Sequence, residues 1–160
     1  MPDFLIEVRR ETSRRLVPEA RLKKTVIQIL KELGWKRAAI SLWLVGDRKM
    51  RQLNRKYFRH DRPTDVIAFS QLEGRPIKSR SRELPFLGDL IISLDTTVRQ
   101  AKEYGNDYFY EFCFYVCHGA LHLMGHSDET PKEAARMHQK QAAVLKKMRL
   151  WPSKKLKRSS

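Results

Sequence analysis

The eleven residues His118-Gly119-Ala120-Leu121-His122-Leu123-Met124-Gly125-His126-Ser127-Asp128 decide how the rest of the chain is read. Residues 109–117 before them hold no Gly or Pro, so one helix is predicted from about residue 108 to 124. At about 3.6 residues per turn, His118 and His122 share a face one turn apart. Two imidazoles stacked in this way reach a single metal ion at about 2.0–2.1 Å. Gly125 stands where a helix ends in the left-handed conformation and the chain turns. Asp128, three residues on, is then placed to offer a third ligand. The His pair alone fits equally well two polar residues on a half-buried helix; the Gly and the returning acid favour a metal.

His126 competes with Asp128 for that third position. If the helix ran on, His118 and His126 would lie about 12 Å apart along it, too far for one ion. The chain must therefore turn at Gly125, which leaves both residues open. A carboxylate oxygen is an acceptable zinc ligand. Two neutral His and one Asp leave a divalent ion less positive than three His would, so it acidifies bound water less. With Asp128 as the ligand, His126 is expected beside the ligands or facing substrate.

The spacing resembles the zincin arrangement in outline, with one departure. Gly119 follows the first His, where a metalloprotease carries its general-base Glu. Peptide hydrolysis is therefore not expected.

Three stretches together resemble the YbeY family of zinc-dependent endoribonucleases and rRNA maturation factors. They are the His118–Gly125 signature, Leu53-Asn54 with Tyr57 and Pro63-Thr64-Asp65-Val66-Ile67-Ala68-Phe69, and Leu87-Gly88-Asp89-Leu90-Ile91-Ile92-Ser93. They occur in the family's order, and the resemblance covers about residues 35 to 150. It implies an α+β, zincin-like single domain in which a small mixed sheet packs with about five helices. It places a metal site at the end of a central helix, with its third ligand at the position of Asp128, where the family usually has His; Asp128 is preferred to His126 on that resemblance. The family's Arg after the Tyr is Phe58 here, and Arg59 follows one place late as the candidate substrate-binding residue. Ala68 and Ser70 stand where the family favours Ser and Pro.

Composition is consistent with an RNA partner. The 160 residues carry 33 Lys and Arg against 18 Asp and Glu, a net charge of +15. Such an excess is the footprint of a protein that meets a polyanion, RNA before membrane. Residues 131–160 hold ten of those cations and a single acid, Glu133. Residues 1–151 read as one domain and 152–160 as a basic tail. Cys113 and Cys117, one turn apart, read as core residues, since a disulfide framework needs more of them. No run suits a signal peptide or approaches the roughly 20 apolar residues of a membrane span, so a cytoplasmic protein is expected.

Along the chain, alternation predicts strands at residues 4–9, 38–45, 66–70 and 87–93. A helix between Pro18 and Gly34 carries the stripe Leu22, Val26, Ile29, Leu30 and Leu33. Asp47 is expected to cap a short helix that turns Met50, Leu53 and Tyr57 inward, and Asp95 to cap another that ends at Gly105. Residues 58–65 and 71–85 read as loops. Thr130-Pro131-Lys132-Glu133 starts the last helix, in which Ala134, Met137, Gln141, Val144 and Leu145 give a weakly apolar face. His60 and His138 read as surface residues.

The expected function is a single-strand-specific, metal-dependent endoribonuclease with one Zn²⁺ per chain. The resemblance implies late ribosome maturation at the 3′ end of 16S rRNA, with the small subunit as partner. Asp65 and Asp89 are conceivable acid–base groups, though a strand-end Asp more often holds a loop; no catalytic residue is assigned. The rivals are an RNA-binding ribosome-assembly factor whose metal is structural and, behind it, a zinc metalloprotease.

Overall fold

The computed structural model describes residues 2–58, 66–71 and 84–152. In order they form β1 (Phe4–Glu11), α1 (Glu19–Glu32), β2 (Ala38–Val45), α2 (Asp47–Phe58), β3 (Val66–Ser70), β4 (Phe86–Ser93), α3 (Leu94–Tyr104), α4 (Tyr108–Leu123) and α5 (Pro131–Lys147). The strands make one mixed sheet in the order β1-β2-β4-β3. β1, β2 and β4 run parallel, and β3 returns antiparallel along the edge of β4.

Side-chain alternation decides which helices each face takes. Ile6, Ile40, Leu42, Leu44, Leu90 and Ile92 point to one side and are buried against α1, α4 and α5. Burying one such side chain contributes about 1.5–3 kcal/mol, so this layer is what fixes the helices on the sheet. The other face is smaller: Val45, Ile67 and Ile91 meet Met50 and Leu53 of α2. Tyr57, expected to turn inward with them, is 51% exposed. It comes one turn past Leu53, at the rim of that cluster, and packs edge-on against Phe69 with ring centroids 5.2 Å apart.

Helix starts differ from the sequence expectation in one systematic way. Asp95 does not cap α3. Ser93 does, its hydroxyl accepting the Thr96 N–H at 3.1 Å. Asp95 instead accepts the Asp47 N–H at 2.9 Å and so closes the start of α2. Asp47, expected to cap its own helix, accepts from Ser93 Oγ at 2.8 Å and Thr96 Oγ1 at 2.6 Å. Each acid thus serves its neighbour's helix, because β2 and β4 are adjacent and deliver α2 and α3 side by side. α2 also runs through Phe58, past the expected loop boundary; residues 59–65 and 72–83 lie outside the described residues.

Candidate metal centre

α4 is the helix on which the site is built. Asp107 caps it, accepting the Phe109 N–H at 2.8 Å, and Phe112, Cys113, Val116, Cys117, Ala120 and Leu121 are buried. Gly119 is where the helix lies against the sheet. A Cβ there would come within 2.7 Å of Leu90 Cδ2 and 3.1 Å of Val66 Cγ2. Any side chain at the position that bears a glutamate in metalloproteases would have to displace the tips of Leu90 and Val66, so close packing on the sheet favours glycine there.

The helix ends in a Schellman turn. The Gly125 N–H donates to the His122 carbonyl at 3.0 Å and the His126 N–H to the Leu121 carbonyl at 3.0 Å, with Gly125 at φ +94°. Its Cβ space is open, so the positive φ is the reason for glycine. The turn sends the chain back across the helix end and brings Asp128 to the two histidines.

There, three ligand atoms converge. His118 Nε2 and His122 Nε2 are 3.1 Å apart, and Asp128 Oδ2 is 3.5 Å from the first and 3.4 Å from the second. Ligands about 2.0–2.1 Å from one tetrahedral ion stand about 3.3 Å from each other, so the triangle has the size such an ion requires. Both rings spend their Nδ1 positions elsewhere. His122 Nδ1 is 2.9 Å from the His126 carbonyl, which accepts only, so Nδ1 carries the proton. His118 Nδ1 is 3.2 Å from Gln141 Oε1. With the proton on Nδ1 in each neutral ring, both Nε2 atoms present lone pairs to one another and to a carboxylate. A shared proton holds two such atoms together; a metal ion holds all three. The donor set fits Zn²⁺, and a set of three protein ligands would leave a position for water or substrate. A cleft of about 430 Å³ opens on it, walled by Val66, Ala68 and Ser70 of the edge strand and by the 125–129 turn.

The His126 ring is outside the triangle, and its backbone carbonyl serves the site instead. Burial, with the positive charge of Lys140 beside it, lowers the pKa of that ring. Cys113 and Cys117 are buried, and burial pushes both thiols up to about 12, far from the thiolate a metal needs. Asp89 lines a separate cavity of about 310 Å³ with Trp43 and Tyr57 on the α2 side of the sheet, so the sheet separates it from the triangle. His138 is half-buried against Phe114, with centroids 6.1 Å apart. Arg59, His60, Asp65 and residues 153–160 lie outside the described residues.

Gln141 was not singled out from the sequence as a functional residue. It is fully buried, and its amide N–H donates to the Phe114 carbonyl at 3.3 Å. A glutamine among the apolar positions of α5 was the available signal, since a buried amide persists only where both its ends are bonded.

Comparison with known proteins gives a consistent picture. Residues 7–149 match the family model described as endoribonuclease YbeY. A protein of that name from Geobacter metallireducens is 38% identical over 127 residues, covering 78% of this chain and 83% of the relative. One from Chlorobium phaeovibrioides is 36% identical over 135 residues, covering 84% and 85%. The solution structure of TM1509 from Thermotoga maritima shares the fold, with a TM-score of 0.54 at 21% identity over 91% of this chain and 92% of that one.

Proposed function

We propose that this chain, which belongs to the endoribonuclease YbeY family, cleaves single-stranded RNA at a Zn²⁺ held by His118, His122 and Asp128. The observation that carries this reading is the triangle of facing lone pairs at 3.1, 3.4 and 3.5 Å, on a chain of net charge +15. When bound, the ion supplies Lewis-acid polarisation of a phosphate oxygen and an activated water. The protein supplies the rest. Two outward hydrogen bonds fix the ligand tautomers, the Gly125 turn holds the carboxylate in place, and the edge strand β3 forms one wall along which a strand of RNA lies.

Basic side chains neutralise the RNA backbone, a sequence-independent contact. Arg59, just after α2, is the candidate to grip a phosphate near the cleavage point. Residues 1–151 form the catalytic domain, and the basic residues 152–160 act as a tether whose removal weakens binding and flattens its salt dependence. Family membership supports ribosomal RNA as the substrate, in late maturation of the 16S 3′ end on the small subunit. A cytoplasmic location fits that task, and among the described residues no helix is long and apolar enough to cross a membrane.

The test is cleavage of single-stranded RNA by pure protein, metal-free and zinc-loaded, with His122→Ala beside it. Cleavage only by the loaded, unmutated protein is the expected result. A protein that unfolds when metal is removed, and cleaves nothing when loaded, would instead be an assembly factor with a structural ion.

A further inference from the structure

We propose that Gln141 is a positioning residue for the metal centre: it sets the tautomer of His118 and thereby couples the docking of α5 to metal loading. The inference rests on the metal reading above and goes beyond it, to a residue 23 positions from the ligand it serves.

The two histidines reach the same protonation pattern by different means. His122 is oriented by a backbone carbonyl that the Schellman turn delivers, and no side-chain substitution at His126 removes that oxygen. His118 depends on a side chain from another helix. The orientation of the Gln141 amide is decided by its far end. The Phe114 carbonyl accepts only, so the NH₂ group must face it, and Oε1 must face His118. An acceptor at 3.2 Å puts the His118 proton on Nδ1 and leaves Nε2 as a lone pair aimed at the triangle. Were the tautomer reversed, an N–H would point at the ion's place and His118 could not be a ligand. Phe114 adds a second restraint, its ring nearly parallel to the imidazole at 11° with centroids 6.5 Å apart.

A purely structural reading of Gln141 is a satisfied buried amide that ties α5 to α4. That role accounts for both hydrogen bonds and for the Nδ1–H form that the one to His118 requires, but it makes no demand on metal affinity. The two readings therefore separate by experiment.

The variants are Gln141→Met, similar in size without a strong acceptor, and Gln141→Glu, which keeps an acceptor oxygen toward His118 but, as a carboxylate, loses the donor to the Phe114 carbonyl. Two quantities are measured: the ¹⁵N shifts of the His118 ring in metal-free protein where the ring is neutral, and Zn²⁺ affinity by chelator competition. Wild type is expected to show the Nδ1–H form. Gln141→Met should lose that preference and bind zinc about 10–100-fold more weakly. Gln141→Glu should retain both properties. Hydrogen exchange of the α5 amides around residue 141 should slow on zinc binding in wild type and not in Gln141→Met.

An Nε2–H form of His118 in wild type overturns the proposal, as does a folded Gln141→Met with unchanged tautomer and unchanged affinity. Should Gln141→Met fail to fold, the wild-type tautomer and the Gln141→Glu variant decide. If wild type binds no zinc, the metal reading fails by itself, and the ring measurement alone tells whether Gln141 sets the tautomer.

Discussion

Two polar clusters flank the core, and they differ in how their donors and acceptors balance. At the ends of β2 and β4, Asp47 accepts from Ser93, Thr96 and Arg99, the last at 2.6 Å. Beside it Asp95 accepts from the Asp47 N–H and from Arg14 at 2.5 Å. Two acids meet two arginines, and each carboxylate is supplied with donors. At the end of α4 the balance is the reverse. His118 and His122 direct their N–H groups outward, to Gln141 and to the His126 carbonyl, and three acceptor atoms are left facing each other. Richness in acids does not distinguish these clusters, since the first has more of them. What marks a candidate cation site, among the described residues, is three acceptor atoms converging on one point.

The sharpest way to break this contrast is to remove a ligand. His122→Ala should abolish RNA cleavage and lower zinc affinity by more than the about 100-fold that an outer partner costs, with Asp128→Ala close behind. Zinc at about 100 times its dissociation constant should stabilise wild type by about 2.7 kcal/mol and neither variant at the same concentration. Metal titration followed by thermal melts reads both. If Asp128→Ala binds zinc like wild type, the carboxylate is a bystander.

The complementary experiment opens the closed cluster. Asp47→Ala leaves the buried hydroxyls of Ser93 and Thr96 and the Arg99 guanidinium without their acceptor. A loss of about 2 kcal/mol is expected in denaturant unfolding, the same with and without zinc. A loss that depended on zinc would mean that the two clusters are coupled.

Acid should narrow that difference. Burial acts to raise the Asp47 pKa, but hydrogen bonds from Arg99, Thr96 and Ser93, with the Arg99 charge, outweigh it and hold the carboxyl below its ordinary value. A carboxyl whose folded pKa is depressed stabilises fully above its unfolded pKa and loses that contribution as pH falls through the folded value. The gap between wild type and Asp47→Ala should therefore be constant at neutral pH and shrink as pH drops below about 4. Unfolding curves at a series of pH values measure it.

The smallest effect is expected at His126. His126→Ala keeps the backbone carbonyl that orients His122, so zinc affinity should stay within about threefold of wild type. A fall matching that of Asp128→Ala would place the His126 ring among the ligands and redraw the triangle.

Much of this was determined by the sequence alone. Strand bounds at 38–45 and 66–70, the long α4, and the turn at Gly125 all follow from period, propensity and one left-handed position, which are properties of neighbours along the chain. So does the sharing of one helix face by His118 and His122. The exchanged caps of Asp47 and Asp95 did not follow, because a helix start accepts any carboxylate that reaches it, and the adjacency of β2 and β4 is a fact of sheet order. Tyr57 followed the helical period inward on paper, yet α2 covers only part of its sheet face, and the ring lies at the rim. Gln141 read as a weak spot in an apolar stripe, and only the packing of α5 on α4 gave it both its partners. Covalent spacing brings ligands to one face of a helix. Where their protons sit depends on acceptors from elsewhere in the chain, and folding alone brings those into reach.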